Sequence, residues 1–462
     1  MSKTVKTYNP ATGELIAEHL AFTEEQLEEV LANTHKAHKE WRKSSIETRQ
    51  AALRKLGQIL RDEVEIHASL ISREMGKPIT EARGEVLKCA TTCDYYADRL
   101  PEFLETKQIK TESVDSFVKY DPIGVVLAVM PWNFPYWQVI RFAAPTLAAG
   151  NGGLLKHASN VTGSALAIAD AIERAGFPKH LFATLVIAEH SWVDRIIADD
   201  RVAAVTLTGS EKAGASVAES AGRALKKTVL ELGGSDPFVV LADADVAAIT
   251  PTAVKARFIN TGQSCLCAKR FIVEGEVIED FEARVGAAVA ALKVGDPLDD
   301  STQIGPLAKK QFVDDIDSQV QRSLAMGARL VTGGHRIDRP GNYYAPTVLA
   351  DVTPEMPVFR EETFGPVLAL VKADSPTDAI ALANDSVYGL AASIWTSDNN
   401  RGLELGGEIE SGALFVNQMV ASDPRLPFGG VKLSGYGREL SVEGMREFMN
   451  ARTVVVNNMP RS

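Results

Sequence analysis

The sequence predicts an α/β protein whose strands form mostly parallel sheets, divided into two or three substructures. The chain has 462 residues, about three times the ~150 residues of a typical domain. From about residue 153 onward, short apolar runs alternate with helical segments, which is typical of βαβ units with helices on both faces of a sheet. Hydrophobic residues make up 45% and charged residues 24%, a balance that excludes a disordered chain.

The first hundred residues favour helices. Thr23, with a glutamine three positions later, forms a capping box and predicts a helix start. A second capping box, Ser44 with Glu47, predicts a long helix that ends at residues 76–78 (Gly-Lys-Pro). A third helix is expected over about residues 81–100.

Strands follow the helical region. Residues 117–120 and 125–130 predict a hairpin or two edge strands. The first α/β series has expected strands at 153–156, 183–187, 203–207 and 228–232, with helices at 164–175 and 211–222. The second series has expected strands at 238–241, 271–274, 367–371 and 391–395, with helices at 245–259 and 279–292. Residues 233–234 (Gly-Gly) are the expected joint between the two series. Residues 451–457 form a terminal strand with no later segment to pair with, so we expect it to cross to another subunit.

Charge and composition exclude several classes of protein. The net charge is −11, which argues against binding to nucleic acid or an anionic membrane. No apolar run reaches the ~18–20 residues of a membrane span, and no secretory signal is visible. Four cysteines are too few for a disulfide framework, and we expect a cytoplasmic protein. Since no HExxH or zinc-type Cys/His spacing occurs, no metal is expected.

A candidate anion site lies where the strand at 203–207 meets the next helix. The chain has no G-x-G-x-x-G after a strand; instead it has Thr208-Gly209-Ser210 at this junction. Backbone N–H groups and the helix dipole favour an anion at such an N-terminus. A serine there is also an ordinary helix cap.

Three further segments carry chemically useful side chains. Cys265 follows a predicted helix within a Gly/Ser-containing turn, where backbone N–H groups stabilise a thiolate and an oxyanion; an inert buried cysteine is the alternative. Glu231 ends a strand beside the two glycines, which makes it a candidate general base, although such an acid can simply lie on the surface. Asn133 offers an amide donor between two prolines, Pro131 and Pro135.

Together these segments resemble the aldehyde dehydrogenase superfamily. The motifs occur in the order and spacing of that family between residues 131 and 430, and two terminal motifs extend the match over essentially the whole chain. They are PWNFP, LK (155–156), TGS, LELGG, NTGQSC, EETFGP (361–366) and PFGG (427–430), with NPATGE (9–14) and SGYGRE (434–439) at the ends.

The resemblance implies three parts and a set of roles. Residues 1–113 and 134–232 would form a Rossmann-like NAD(P) domain, residues 233–430 a catalytic domain, and residues 114–133 and 431–462 a small β oligomerisation extension of a homodimer or homotetramer. Cys265 matches the nucleophile, Glu231 the base and Asn133 the oxyanion donor. The cofactor contacts that the resemblance implies are Trp132, Lys156, Gly209, Ser210, Leu232, Glu362 and Phe364.

The residue types agree with oxidation of an aldehyde. A thiolate adds to the aldehyde carbon, the adduct loses hydride to the nicotinamide, and the base activates water to hydrolyse the thioester. Relatives that transfer the acyl group to coenzyme A lack the base, so Glu231 disfavours that alternative. A non-catalytic protein that keeps only the fold would not need both Cys265 and Glu231. The motifs around a cysteine protease nucleophile are absent.

Cofactor and substrate preferences rest on single positions. Family members strict for NAD often carry a glutamate where this chain has Ser159, so we expect NADP to be used, with the preference over NAD open. Arg141 and Ser422 match the residues that bind the distal carboxylate of the substrate in succinate-semialdehyde dehydrogenases. The second arginine of some members is Ile259 here, and Arg425 is a candidate replacement.

Three alternatives remain open. Arg141 can instead pair with a structural acid. The substrate can be another small aliphatic or ω-carboxy aldehyde, such as glutarate semialdehyde. Cys267, two residues after Cys265, is either a packed residue or a partner in a reversible, inactivating disulfide.

Overall fold

The computed structural model describes residues 3–189 and 191–459, and its N-terminal region is largely helical. The elements are β1 (Thr4–Tyr8), β2 (Leu15–Leu20), α1 (Glu24–Trp41), α2 (Ile46–Asp62), α3 (Val64–Met75) and α4 (Ile79–Phe103). The capping box at Thr23 is confirmed. The second one is wrong: Ser45 caps α2 by accepting the N–H of Thr48 at 3.2 Å, whereas the Ser44 hydroxyl donates to Trp41 O and closes α1. The single long helix is two helices that meet at Glu63.

The first sheet is the parallel βαβ sheet that the sequence predicts. Its elements, after β3 (Lys107–Gln108) and β4 (Asp115–Pro122), are β5 (Val125–Met130), α5 (Trp137–Ala148), β6 (Gly152–His157), α6 (Thr162–Arg174), β7 (Phe182–Thr184), α7 (Ser191–Ala198), β8 (Val202–Thr208), α8 (Glu211–Arg223) and β9 (Lys227–Glu231). These strands lie in the order β9-β8-β5-β6-β7 and are mutually parallel, and a short strand from the C-terminal segment adds antiparallel to β9 as the sixth strand of the sheet.

The predicted hairpin of residues 117–120 and 125–130 is wrong. β5 lies at the centre of the first sheet, while β4 belongs to a separate three-stranded sheet. The continuous apolar run of β5 is buried on both faces, as a central parallel strand requires. Residues 125–130 therefore belong to the first sheet and not to an extension formed by residues 114–133.

A second sheet follows the two glycines and is also mainly parallel. Its region contains β10 (Asp236–Val240), α9 (Val246–Phe258), β11 (Ala268–Glu274), α10 (Ile278–Ala290), α11 (Lys310–Ala325), β12 (Arg329–Thr332), β13 (Thr347–Ala350), α12 (Pro357–Arg360), β14 (Val367–Ala373), α13 (Pro376–Asn384), β15 (Tyr388–Gly389), β16 (Ala392–Trp395), α14 (Asn399–Gly406) and β17 (Leu414–Val416). The order is β12-β13-β14-β11-β10-β16-β17, with only the β12 pairing antiparallel. Stacked Phe238 and Phe271 pack in its core.

The C-terminal segment returns to the N-terminal half of the chain. It contains β18 (Val431–Lys432), β19 (Gly435–Tyr436), α15 (Ser441–Glu447) and β20 (Met449–Val456). β19 pairs with β9 and places Gly435 opposite Glu231. β20 pairs antiparallel with β4 along its whole length, so the tail has a partner earlier in its own chain. β20 is nevertheless an edge strand of the order β20-β4-β3.

The two sheets converge at one boundary. The strands β5, β8 and β9 end directly before the segments that begin at Pro131, Gly209 and Leu232. The neighbouring strands β10, β11 and β14 of the second sheet start directly after the residues 233–235, 263–267 and 361–366. Carboxyl ends of parallel strands are where ligands bind in open α/β sheets. No helix of the described ranges is long and apolar enough to cross a membrane.

The turn that precedes β11 has an unusual backbone. Asn260, Thr261 and Gly262 have φ values of 53°, 56° and 74°, three consecutive left-handed residues. A Cβ on Gly262 would lie 2.2 Å from the Gly365 carbonyl oxygen. The turn therefore depends on glycine for both conformation and space.

We predict that Gly262→Ala destabilises the protein by more than ~2 kcal/mol, because a steric clash adds to the ~1 kcal/mol of a left-handed alanine. Gly13→Ala is the matched control, since Gly13 has φ +79° and no atom within 4 Å of its Cβ position. Denaturant unfolding of the two variants measures both losses. Equal losses would mean that Gly365 moves away at no cost.

Candidate active site

Cys265 lies between two cavities. One, of about 460 Å³, opens along the carboxyl ends of the first sheet. The other, of about 410 Å³, lies between α4, α5 and the loop before residue 422. Cys265 and Gln138 line both. A group attached to the thiol could therefore meet one ligand from each side.

The turn that carries Cys265 is fixed by Lys269, a buried residue of β11. Lys269 Nζ donates to the carbonyl oxygens of Ser264 at 3.0 Å, Cys265 at 2.8 Å and Cys267 at 3.2 Å. An ammonium has three donors, and here the turn takes all of them. Burial raises the pKa of the Cys265 thiol to about 12, opposed by the nearby charge of Lys269. The sequence did not single out Lys269, although two adjacent basic residues, Lys269 and Arg270, at the start of a strand buried throughout were a visible sign.

Asn133 follows β5 on its proline-bracketed turn and is held on both sides of its amide. Its Nδ2 donates to Gln263 O at 3.1 Å, and its Oδ1 accepts from Gln138 Nε2 at 3.0 Å. Its backbone carbonyl accepts from Asn260 Nδ2 at 2.8 Å. The orientation of the amide is thus set, which leaves its second N–H for a ligand.

Glu231, the last residue of β9, is buried and lies near the thiol. Its Oε1 has no hydrogen-bond partner within the described part of the chain. Burial raises the pKa of this carboxyl well above its usual range, with a further contribution from Glu439; Arg141 and Arg438 oppose it. An unpaired buried carboxyl of raised pKa suits a general base.

Arg141 forms an ion pair with a structural acid. Its Nε lies 2.5 Å from Glu439 Oε2, both side chains are buried, and the guanidinium lies 5.0 Å from the Phe428 ring centre. Arg141 and Ser422 both line the smaller cavity, as the sequence analysis expects of a substrate site. Arg141 thus lies in the cavity expected of a substrate-binding residue, but it also pairs with a structural acid, which was the alternative to that role.

Arg425 does not replace the second arginine. Its side chain is exposed and pairs with Asp423, with 2.6 Å between Nη2 and Oδ2. It is absent from the lining of the smaller cavity. The position that the resemblance assigns to that arginine, Ile259, contributes an apolar wall instead.

The larger cavity brings together most of the expected cofactor residues. Trp132 stacks on Phe312 at 4.8 Å and meets Phe364 edge-on at 5.8 Å. Glu362 Oε1 accepts the N–H of Gly234 at 3.0 Å. The expected residues in this lining are Trp132, Gly209, Ser210, Leu232, Glu362 and Phe364.

Lys156 and Ser159 lie outside that lining, at the end of β6 and in the turn after it. Lys156 is paired in register with Val129 of the central strand β5. Burial, and secondarily the charge of Lys309, lower the pKa of Lys156. No carboxylate of the described residues forms an ion pair with Lys156 or Lys309, and two neighbouring cations of this kind favour an anion.

These residues fit a dinucleotide. Ser210 caps α8, so the N-terminal end of that helix faces the larger cavity. A Cβ on Gly209 would meet only Leu207, at 3.5 Å, so the backbone there is open to a phosphate. Over residues 3–189 and 191–459, no group of three or more His, Cys, Asp or Glu could hold a metal ion.

Cys267 points away from the cavities. It is fully buried, and its Sγ lies 3.6 Å from Ile259 O. Burial raises the pKa of its thiol. All four cysteines are free, and the contacts of Cys267 are those of a packed residue.

Sequence comparison identifies the class of protein that has this cysteine between two cavities at the boundary of two parallel sheets. The model of the aldehyde dehydrogenase family matches residues 1–454, and the chain belongs to that family.

Among its relatives, a probable NADP⁺-dependent succinate-semialdehyde dehydrogenase of Synechocystis sp. is 50% identical over 97% of this chain and 99% of its own. A succinate semialdehyde dehydrogenase of Escherichia coli, described as using NAD(P)⁺, is 48% identical over 96% of each chain. The crystal structure of succinic semialdehyde dehydrogenase from Streptococcus pyogenes with NADP⁺ is 41% identical, with a TM-score of 0.96 over 98% of this chain and all of that one.

Proposed function

We propose that the protein oxidises succinate semialdehyde to succinate with NAD or NADP as cofactor. The observation that carries this proposal is the position of Cys265, which faces both cavities. One cavity has the stacked aromatic rings and open helix N-terminus of a dinucleotide site. The other has a mostly apolar surface with charged groups at its wall, and suits a small aldehyde with a charged end.

The dinucleotide supplies a hydride acceptor when it is bound. Gly209, Ser210 and Lys156 would hold its phosphates and adenosine ribose. Glu362 would hold the second ribose, and Phe364 would limit the movement of the nicotinamide ring. These assignments follow from the family resemblance and from the cavity that Gly209, Ser210, Glu362 and Phe364 share.

The first chemical stage uses Cys265 and Asn133. The Cys265 thiolate adds to the aldehyde carbon, and the electron pair of the C=O bond moves to the oxygen, which becomes an oxyanion. The free N–H of Asn133 stabilises this charge because hydrogen bonds to Gln263 and Gln138 already fix its amide. Loss of hydride from the carbon then leaves a thioester on Cys265.

The second stage uses Glu231. The deprotonated carboxyl takes a proton from water, hydroxide adds to the thioester carbon, and the Cys265 thiolate leaves. The product is the carboxylic acid. Because Glu231 is present and buried beside the thiol, hydrolysis is favoured over transfer of the acyl group to coenzyme A.

The substrate assignment combines the relatives with the smaller cavity. The relatives described above act on succinate semialdehyde by name. Arg141 and Ser422 line the cavity together with Lys88, so a negatively charged end of the substrate would find positive charge there. Glutarate semialdehyde, one carbon longer, is the second candidate.

We also propose a cytoplasmic homodimer or homotetramer. Val455 and Val456 on the edge strand β20 are 58% and 46% exposed, and an open apolar edge is commonly covered in an assembly. The four free cysteines agree with a reducing compartment. Apart from residues 125–130 and 435–436, which are strands of the first sheet, the domain division derived from the resemblance is part of the same proposal.

Glu231→Gln is expected to give one burst of reduced cofactor per active site and then stall, because only deacylation needs the base. Cys265→Ala is expected to give no burst. Cys267→Ala removes a buried thiol from the same turn and serves as the control that keeps turning over. Stopped-flow absorbance at 340 nm separates these cases, and steady turnover of either of the first two variants would refute the assigned roles.

Ser159→Glu is expected to reduce kcat/KM for NADP by at least ~10-fold and to affect NAD little, because a carboxylate would repel a 2′-phosphate. Ser113→Glu, on the loop before β4, is the matched control for the added charge. Steady-state kinetics with both cofactors measure the effect. Equal losses with both would place Ser159 away from the 2′ position.

Wild-type enzyme is expected to prefer succinate semialdehyde over butyraldehyde, its neutral analogue, by about 30-fold or more in kcat/KM. The reason is that a buried site built for a charged partner loses ~2 kcal/mol or more without it. Comparison of the two substrates at pH 7 measures this. Equal values would leave only a general aldehyde dehydrogenase.

A further inference from the structure

The smaller cavity contains a lysine that the sequence analysis did not single out. Lys88 comes from α4 and enters the cavity beside Ser422 and Trp137. Its Nζ donates to Ser422 Oγ at 2.8 Å and lies 4.0 Å from the Trp137 ring centre. The hydroxyl takes one of the three ammonium N–H groups and the ring faces the charge, so donors remain for an anion.

The carboxyl groups around Lys88 are committed elsewhere. Glu85 forms an ion pair with Lys77 and accepts two backbone N–H groups. Glu81 accepts the N–H of Asn260 at 2.6 Å. Asp423 pairs with Arg425. In the described residues, no carboxylate forms an ion pair with Lys88.

The other cations of the cavity wall differ from Lys88. Arg141 is neutralised by Glu439 at 2.5 Å. Lys255 lies on an exposed part of α9, where water solvates it. Lys88 is thus a largely desolvated cation in an apolar cavity without a counter-charge, which is an unfavourable arrangement until an anion arrives.

We propose that Lys88, and not Arg141, is the main anchor for the distal carboxylate of the substrate, with Ser422 as its hydrogen-bonding partner. The proposal rests on the succinate-semialdehyde activity proposed above and assigns its specificity. The carboxylate would displace no existing ion pair at Lys88, whereas at Arg141 it would compete with a buried glutamate. Cys265 lines the same cavity, so a substrate held at one end by Lys88 can present its aldehyde to the thiol.

The environment of Lys88 predicts a pH dependence. Burial lowers the pKa of Lys88 to about 8, with Arg141 as the next cause; Cys89, Glu85 and Asp423 oppose the shift. Above that pH the free enzyme loses the positive charge that the carboxylate needs. Selectivity for the charged aldehyde should therefore fall between pH 7 and 9.5, while the titrations of Cys265 and Glu231 cancel in a ratio of two substrates.

The experiment measures the ratio of kcat/KM for succinate semialdehyde to that for butyraldehyde. In the wild type the ratio is expected to fall by about 15-fold from pH 7 to pH 9.5, since a group of pKa about 8 is then about 3% protonated and the uncharged form keeps about one-thirtieth of the selectivity. Lys88→Met is expected to lower the ratio at pH 7 by about 30-fold. Lys88→Arg, which stays protonated, is expected to keep a high ratio that no longer depends on pH.

Lys55→Met, an exposed lysine of α2, is the matched control for loss of a charge. A wild-type ratio near 1 at pH 7 would refute the proposed function itself. A high wild-type ratio that is unchanged in Lys88→Met, or that does not vary with pH, would refute the role of Lys88 but not the proposed function. Arg141 would then be the residue that binds the distal carboxylate. The wild-type pH profile decides the matter even where Lys88→Met fails to fold.

Discussion

The ammonium group of Lys269 is the interaction on which the site depends. Three carbonyl groups of the turn that carries Cys265 converge on it, which fixes the backbone on both sides of the thiol. The same buried charge acts through space on the Cys265 thiol and on Glu362. One residue thus links backbone geometry, thiol ionisation and the cofactor side of the site.

Much of the fold could be predicted because its elements carry local signs. The parallel strands of both sheets are short apolar runs between helices, and the Gly233–Gly234 joint is visible as a pair of glycines between β9 and β10. The central position of β5 could not be predicted, because a short apolar run is compatible with both an edge strand and a central strand. The partner strand of β20 could not be predicted either, because β4 lies more than 300 residues earlier in the chain.

The candidate site also contains residues that could be predicted from the sequence and residues that could not. Cys265, Asn133 and Glu231 stand in recognisable local motifs, and the structure brings them to one place. Lys88 and Lys269 carry no motif, because a lysine on a helix or strand becomes informative only when its neighbours are known. For Arg141, the sequence predicted the location beside the substrate. It could not predict the ion pair with Glu439, because that residue lies about 300 positions later in the chain.

The pairing of β19 with β9 joins an early part of the chain to a part that is synthesised near the end. Gly435 lies opposite Glu231, and Glu439 neutralises Arg141 from the same terminal segment. Both N-terminal partners leave the ribosome long before that segment exists. A nascent chain can assemble its first sheet early, yet Arg141 waits without its counter-ion and β9 without its last neighbour until translation is almost complete. A chain that terminates before Gly435 would lack both contacts, and its Arg141 would stay a buried cation without a counter-charge.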